Sequence, residues 1–196
     1  QDAWVKMWEF TAQRYAHHPT VIGYHLMVEP NGNMMVPNGW DGKAFFKNYG
    51  KSLHNWHLLA DRISKAIRSI DEATPILVSS MNWGDPLWLD YVPVNYNKTA
   101  YVVHQWEPGL YTHQKPPFQH TYPGRFDGNY DGTPDAIDKG YLERILEPVK
   151  TFRRKFEVPV AVLASATHLF VLFLAPSRTM RNLTGALQLL DAEGFA

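Results

Sequence analysis

The chain has 196 residues, 45% of them hydrophobic, and equal numbers of acidic and basic side chains, so its formal net charge is zero. This composition is typical of a globular domain. The lack of a basic excess argues against a nucleic-acid partner, and the lack of a charged amphipathic block argues against a membrane partner. The chain contains no cysteine, which excludes disulfides and thiolate chemistry.

The first predicted element is a helix that stops before Pro19, because apolar side chains recur there at helical spacing. Its stripe consists of Trp4, Met7, Trp8, Ala12 and Tyr15. His17 and His18 end the segment. Adjacent histidines project to different faces of a helix, and no third ligand is near them in sequence. We therefore interpret them as a polar helix end rather than a metal site.

Residues 21–31 are predicted to contain a buried strand that ends at Glu29, directly before Pro30. An α/β fold places its chemistry at the carboxyl ends of such strands, because the loops there are free while the strand holds the side chain. The alternative is a solvated glutamate at a strand end. The apolar run before Glu29 and the turn formed by Asn31 to Asn33 favour a cleft.

A second helix is predicted over residues 59–70, then strands over 76–81 and 100–103. The loop 82–86 should lie at the same end of the sheet as Glu29. The third strand runs into His104, and aromatic side chains follow both strands. These aromatics are Trp83, Trp88, Trp106 and Tyr111. Aromatic rings stack on sugar faces, and His, Gln and Glu bind hydroxyls, so the pattern indicates a sugar site. Core packing is the alternative for any one ring.

Oxygen-bearing side chains are spaced in residues 127–138 as in a calcium-binding loop, with a glycine at the sixth position. The candidate ligands are Asp127, Asn129, Asp131 and Asp138. Pro134 replaces the usual apolar residue, and Asp138 replaces the usual bidentate glutamate. A structural Ca²⁺ site and a plain Asp/Gly turn both remain open.

The last third of the chain begins with a helical stripe over residues 142–156, which Pro148 should kink or divide. Residues 158–162 are predicted to start a fourth buried strand. Eighteen residues without charge, 158–175, reach the lower limit for a membrane span. Their polar residues and the α/β neighbours favour a soluble interpretation. A final helix, 177–190, is predicted from Met180, Leu183, Leu187 and Leu190.

The order of helices and strands is that of parallel βαβ units. On its motifs, the chain resembles glycoside hydrolase family 5, the cellulase-type catalytic domain. Residues 22–30 resemble the family's fourth strand, which carries the acid/base glutamate in an Asn-Glu-Pro context. Residues 102–106 resemble the sixth strand with its His-x-Tyr pair, and residues 158–162 resemble the start of the seventh.

The resemblance implies a partial (β/α)8 barrel, from about the third helix through the seventh helix, with four parallel strands in one incomplete domain over residues 1–196. It implies a retaining endo-β-glycanase in which Glu29 is the acid/base. His104, Trp106, Trp83 and Tyr111 would bind a β-1,4-linked polysaccharide or oligosaccharide. No cofactor would be required, and the full-length protein is expected to be a secreted monomer.

The chain departs from the family at three places. Val28 stands where the family has asparagine, and Trp106 stands for tyrosine. Residues 163–166 occupy the nucleophile motif, and the nucleophile expected near Ala164 is absent, because no Asp or Glu lies between Glu157 and Asp191. We interpret the chain as a fragment, and a reading-frame slip as one origin of the loss. The alternatives are a catalytically inactive carbohydrate-binding protein of the same fold and an unrelated α/β domain.

Overall fold

The computed structural model describes residues 1–92, 97–165 and 172–174. The helix predicted over 177–190 lies outside this part of the chain. The helices are α1 (Asp2–Tyr15), α2 (Gly42–Tyr49), α3 (Trp56–Arg68), α4 (Met81–Gly84), α5 (Gly109–Thr112), α6 (Lys139–Ile145) and α7 (Glu147–Phe156). The strands are β1 (Tyr24–His25), β2 (Ile76–Ser79), β3 (Thr99–Gln105), β4 (Gly124–Phe126), β5 (Asp135–Ile137), β6 (Val160–Ser165) and β7 (Leu172–Leu174). Two 3₁₀ turns, Gly32–Met35 and Pro86–Tyr91, complete the elements.

The main sheet has the order β1-β2-β3-β6-β7. The first four strands are parallel neighbours, so their carboxyl ends meet at one edge. This arrangement of strands and intervening helices is part of a (β/α)8 barrel and confirms the predicted fold. The sequence did not predict β7, which runs antiparallel to β6.

The first strand is much shorter than predicted. Only Tyr24 and His25 pair with β2, although the amide of Leu26 still donates to the carbonyl of Leu77 at 3.1 Å. Beyond that point the Ser79 hydroxyl donates to the Met27 carbonyl at 2.9 Å. A side chain therefore replaces the next backbone partner, and the chain is free to turn before Glu29.

Helices α3 and α7 cover the sheet with their predicted apolar faces. The stripe predicted for α1 is only partly buried, because Ala12 is buried but Trp4, Met7 and Tyr15 are exposed. Ile63 and Ile67 of α3 are fully buried, as is Phe152 of α7, whose ring lies 5.2 Å from that of Tyr101 in β3. The helical region around Pro148 is divided at Leu146, as proline near a helix start favours.

Helix α2 was not predicted from the sequence. Asp41 precedes it as the N-cap, and its carboxylate accepts a hydrogen bond from the Ala44 amide.

The predicted calcium loop forms the turn of the hairpin β4–β5. The Asp127 carboxylate accepts from the amides of Asp131 and Gly132, and Asp138 caps α6 by accepting from the Tyr141 amide. Across 1–92, 97–165 and 172–174 there is no group of three His, Asp or Glu side chains placed to hold a metal ion. The structure therefore favours the Asp/Gly turn and gives the calcium ligands Asp127, Asn129, Asp131 and Asp138 no support.

No helix in the described residues is long and apolar enough to cross a membrane. Within the uncharged stretch 158–175, residues 160–165 form the sheet strand β6.

One buried histidine predicts how stability depends on pH. His57 of α3 stacks on Phe46, and burial lowers its pKa from 6.5 to about 3. The unfolded chain therefore binds more protons between these values, so the free energy of unfolding rises with pH up to 6.5 and is flat above it for this group. Lowering the pH from 6.5 to 5 should cost roughly 2 kcal/mol through His57.

Urea unfolding at several pH values measures this effect. His57→Phe should make the dependence less steep and leave the part due to His25, whose pKa burial also lowers, whereas His17→Asn, at an exposed histidine, should leave it as it is. An unchanged slope in His57→Phe would mean that other groups cause the acid destabilisation.

Candidate active site

Glu29 lies in the loop that follows β1, four residues beyond the last paired residue. Its φ of 52° is in the left-handed region, which costs a non-glycine residue free energy and is found more often at functional sites. The neighbouring loop is joined to it, because the Trp83 amide donates to the Pro30 carbonyl at 3.3 Å. The direction of the Glu29 side chain is therefore set by this loop conformation and not by the regular alternation of side chains along β1.

Two side chains from β3 and the loop after it hold this carboxylate. His104 Nδ1 lies 2.8 Å from Glu29 Oε1, and Trp106 Nε1 donates to the same oxygen at 3.3 Å. The His104 side chain is buried, whereas 36% of the Glu29 side chain is exposed. The carboxylate is thus anchored from the protein side and open on the other.

A second histidine lies beneath the pair. The Ser79 hydroxyl donates to the Met27 carbonyl, so its oxygen accepts a hydrogen bond from His25 Nε2 at 2.7 Å. Burial, with a smaller effect of the charge on His104, lowers the pKa of His25 to about 4. His25 is therefore neutral at pH 7, and it adds no positive charge next to His104.

Glu29 opens into a cavity of about 490 Å³. The cavity is lined by Glu29, Trp40, Asn82, Trp83, Asp85, Pro86, His104, Trp106, Glu107 and His113. The rings of Trp40 and Trp83 lie 5.6 Å apart at 36° and form an aromatic wall. Flat apolar rings beside carboxylates and an imidazole suit a sugar, whose two faces are apolar and whose edge carries hydroxyls.

The loop after β2 is fixed to the loop after β1 by side-chain amides. Asn33 is fully buried and donates to the Gly39 carbonyl and to Asn82 Oδ1, each at 3.0 Å. Asn82 in turn donates to Asp85 Oδ2 at 3.0 Å. Burial raises the pKa of Asp85, although its hydrogen bonds from the Leu87 amide and Asn82 oppose the rise. These contacts hold one wall of the cavity.

Glu107 brings another carboxylate to the cavity. Its Oε2 accepts from the Gly109 amide at 2.8 Å, which fixes the side chain over the first turn of α5. Burial raises the pKa of Glu107, and the negative charge of Asp85 adds to the rise. The carboxylates of Asp85 and Glu107 therefore hold a proton more readily than ordinary carboxylates.

The structure brings together four of the five residues predicted for the site, namely Glu29, Trp83, His104 and Trp106. Tyr111 is the exception. Its ring stacks on Phe126, 6.5 Å away, and packs in a separate small apolar cluster under the β4–β5 hairpin. The structure therefore does not bring Tyr111 to the cavity, since an aromatic residue after a strand end can equally anchor a neighbouring hairpin.

Sequence analysis also missed part of the cavity. Trp40 follows an Asn-Gly turn and is 66% exposed, and an exposed tryptophan in a tight turn is the signal that could have identified it. Trp88, named among the candidate aromatics, is 3% exposed and packs in the core against Phe45.

Gly84 controls how closely the loop approaches His104. Its φ is +83°, and an added Cβ would lie 3.1 Å from the His104 amide nitrogen and 3.2 Å from its Cγ. We expect Gly84→Ala to reduce the free energy of unfolding by at least about 1 kcal/mol, through both strain and this contact. Urea unfolding measures the loss.

Gly132→Ala is the matched control, because Gly132 has a φ of +87° and no atom within 4 Å of an added Cβ. It carries the backbone strain without the contact. Equal losses in the two variants would contradict a close approach at His104.

A parallel sheet whose carboxyl edge carries a glutamate, an imidazole and an aromatic wall around a cavity defines a partial (β/α)8 barrel of the glycoside hydrolase type. The sequence matches the family Cellulase (glycosyl hydrolase family 5) over residues 1–149. The chain therefore belongs to glycosyl hydrolase family 5.

Relatives agree with this assignment. The chain is 28% identical over 166 residues to an endoglucanase of Paenibacillus polymyxa, covering 74% of the chain and 38% of the relative. It is 30% identical over 104 residues to an endoglycoceramidase of Cyanea nozakii, covering 50% of the chain and 17% of the relative. The chain thus spans less than half the length of these curated relatives.

Among solved structures, Thermotoga maritima Cel5A in complex with mannotriose superposes with a TM-score of 0.58 at 18% identity, over 83% of this chain and 47% of that one. The cellulose synthase subunit Z of Clostridioides difficile also gives a TM-score of 0.58, at 16% identity, over 97% of this chain and 56% of that one. At these identities the likeness concerns the fold.

Proposed function

We propose that this chain carries the acid/base half of a retaining endo-β-glycanase site that acts on β-1,4-linked polysaccharide. The observation that carries the proposal is the Glu29 carboxylate, held by His104 and Trp106 at the floor of a cavity with an aromatic wall. A carboxyl group held in this way can protonate a glycosidic oxygen and later deprotonate a water molecule.

Retaining hydrolysis also needs a second carboxylate about 5–5.5 Å from the first, to attack the anomeric carbon. Ala164 pairs with His104 in the parallel register of β3 and β6, so position 164 is the backbone position beside the residue that holds Glu29. In the sequence an alanine occupies it. We therefore expect the chain as printed to bind β-glycans without hydrolysing them.

The substrate class rests on the cavity and on relatives. In the part of the chain that the structure describes, the lining of the cavity contains three carboxylates but no Lys or Arg, which disfavours anionic glycans. The relatives are named endoglucanase and endoglycoceramidase, and a structural neighbour was solved with mannotriose. We propose a neutral glucan or mannan as substrate.

A catalytically inactive carbohydrate-binding protein is the second candidate. The missing carboxylate near Ala164 favours it. Affinity electrophoresis on soluble β-glucan, mannan and xyloglucan, run beside a reducing-sugar assay, addresses both candidates. Retardation without sugar release is expected. Measurable release would show that a carboxylate other than one at position 164 supports turnover, and no retardation on any polymer would sink both candidates.

We further propose that the whole protein is a secreted monomer whose hydrolysis needs no cofactor, as the family resemblance implies.

Calcium binding at residues 127–138 is tested by thermal unfolding with added Ca²⁺ and with a chelator. Because the Asp127 carboxylate already accepts two backbone amides, we expect equal midpoints. A higher unfolding midpoint with Ca²⁺ would show that these residues bind calcium.

Resequencing the source across residues 163–175 tests the reading-frame slip. The slip is refuted if the sequence reads unchanged.

A further inference from the structure

The two oxygens of the Glu29 carboxyl group have different surroundings. Oε1 is 2.8 Å from His104 Nδ1 and 3.3 Å from Trp106 Nε1. Within the described residues, no hydrogen bond reaches Oε2. These contacts therefore hold Oε1, and none from the described residues holds Oε2.

An indole N–H can only donate a hydrogen bond, so Oε1 must be an acceptor. A proton on Oε1 would compete with the indole N–H for that oxygen, and it would require His104 Nδ1 to accept rather than donate. A tyrosine at position 106, as in the family pattern, does not impose this choice, because a phenol both donates and accepts. The tryptophan therefore restricts where the carboxyl group can carry its proton.

We propose that Trp106 is a positioning residue that assigns the transferable proton of Glu29 to Oε2. The inference rests on the proposed acid/base role of Glu29. It adds which oxygen delivers the proton to the glycosidic oxygen and later receives one from water. A general acid works only when its proton lies within hydrogen-bond reach of the leaving oxygen, so this assignment fixes the face from which the sugar is protonated.

Trp106 is itself held in place. The Thr112 hydroxyl donates to the Trp106 carbonyl at 2.6 Å, and the His113 ring meets the indole edge-on at 5.9 Å. His104 is anchored within β3. The donors therefore come from two separately supported positions, which makes a shared swing of both rings away from Glu29 costly.

The first test does not need activity. Indole ¹H–¹⁵N resonances are recorded for the chain and for Glu29→Ala, and the Trp106 signal is assigned from its backbone. The Trp106 indole proton should move upfield when its acceptor is removed, while the indole of Trp4, on α1, stays in place. An unmoved Trp106 signal would overturn the inference even if glycan binding is intact.

The second test uses chain carrying Ala164→Glu, with and without Trp106→Phe, which keeps a ring but removes the N–H donor. Trp106→Phe should lower the kcat for glycosides with poor leaving groups roughly 10- to 100-fold, which is a larger factor than for activated aryl glycosides, because both substrates lose the same ring contact but only the first needs a proton. Trp106→Tyr should recover part of the loss. Equal losses on both substrate types would refute the positioning role.

The outcomes separate the two proposals. If Ala164→Glu shows no hydrolysis, or Trp106→Phe does not fold, the indole measurement on Glu29→Ala still tests the contact on which the inference depends, and an unmoved signal overturns it. If the indole signal moves but no polymer is bound, the proposed function fails while the contact stands.

Discussion

Replacing Ala164 by glutamate should raise the hydrolysis of aryl β-cellobiosides by roughly 10²-fold or more over the chain as printed, since a missing catalytic group typically costs several powers of ten. The reason is the strand register. Position 164 pairs with His104, whose ring binds Glu29, so a carboxylate on that position joins the same edge of the sheet. Release of aryl alcohol, followed by absorbance, measures the gain.

Two variants control for this gain. Ala164→Gln introduces the same volume without a charge and should remain inactive. Ser165→Glu places the same carboxylate one residue further along β6, at the position that pairs with Gln105 instead of His104. If Ser165→Glu gains as much activity as Ala164→Glu, the register argument is wrong.

In the Ala164→Glu background, Glu29→Gln should reduce hydrolysis of unactivated oligosaccharides by roughly 10²- to 10⁴-fold, which is the usual contribution of a general acid. Dinitrophenyl glycosides should lose far less in the bond-breaking step, because their leaving group needs no proton. Rates on the two substrates, measured at a series of pH values, give the comparison.

Glu107→Gln is the matched carboxylate control for that experiment. Glu107 lines the same cavity, but its carboxylate is held by the Gly109 amide rather than by His104 and Trp106. The factor by which Glu107→Gln reduces activity should be the same for substrates with good and with poor leaving groups. A Glu29→Gln variant that loses activity equally on both substrates would refute the acid/base role.

The sequence predicts the part of this molecule that depends on local pattern. Helical apolar spacing predicts α1 and α3, and the convergence of parallel strand ends predicts that Glu29 and His104 approach each other, as they do at 2.8 Å. Pro148 predicts the division between α6 and α7. The helices and their division follow from residues close in sequence, whereas the approach of Glu29 to His104 follows from the general convergence of parallel strand ends.

The features that the sequence did not predict depend on distant contacts. The early end of β1 comes from Ser79, fifty-two residues away, which takes the Met27 carbonyl. Trp40 reaches the cavity because the buried Asn33 ties its loop to Asn82. The spacing of oxygens in residues 127–138 fits both a metal loop and a hairpin turn, and the pairing of β4 with β5, which places these residues in a hairpin, could not be read from that spacing.

The distribution of indoles has a consequence for spectroscopy. Three of the seven tryptophans, Trp40, Trp83 and Trp106, line the cavity, whereas Trp56 and Trp88 are buried in the core. A sugar that stacks in the cavity replaces water at the first group and leaves the second unaltered. The intrinsic fluorescence of the unlabelled protein therefore contains a contribution from the cavity and a separate one from the folded core. A quencher that is too polar to enter the core should suppress the cavity indoles and the exposed Trp4, and added ligand should protect only the cavity indoles.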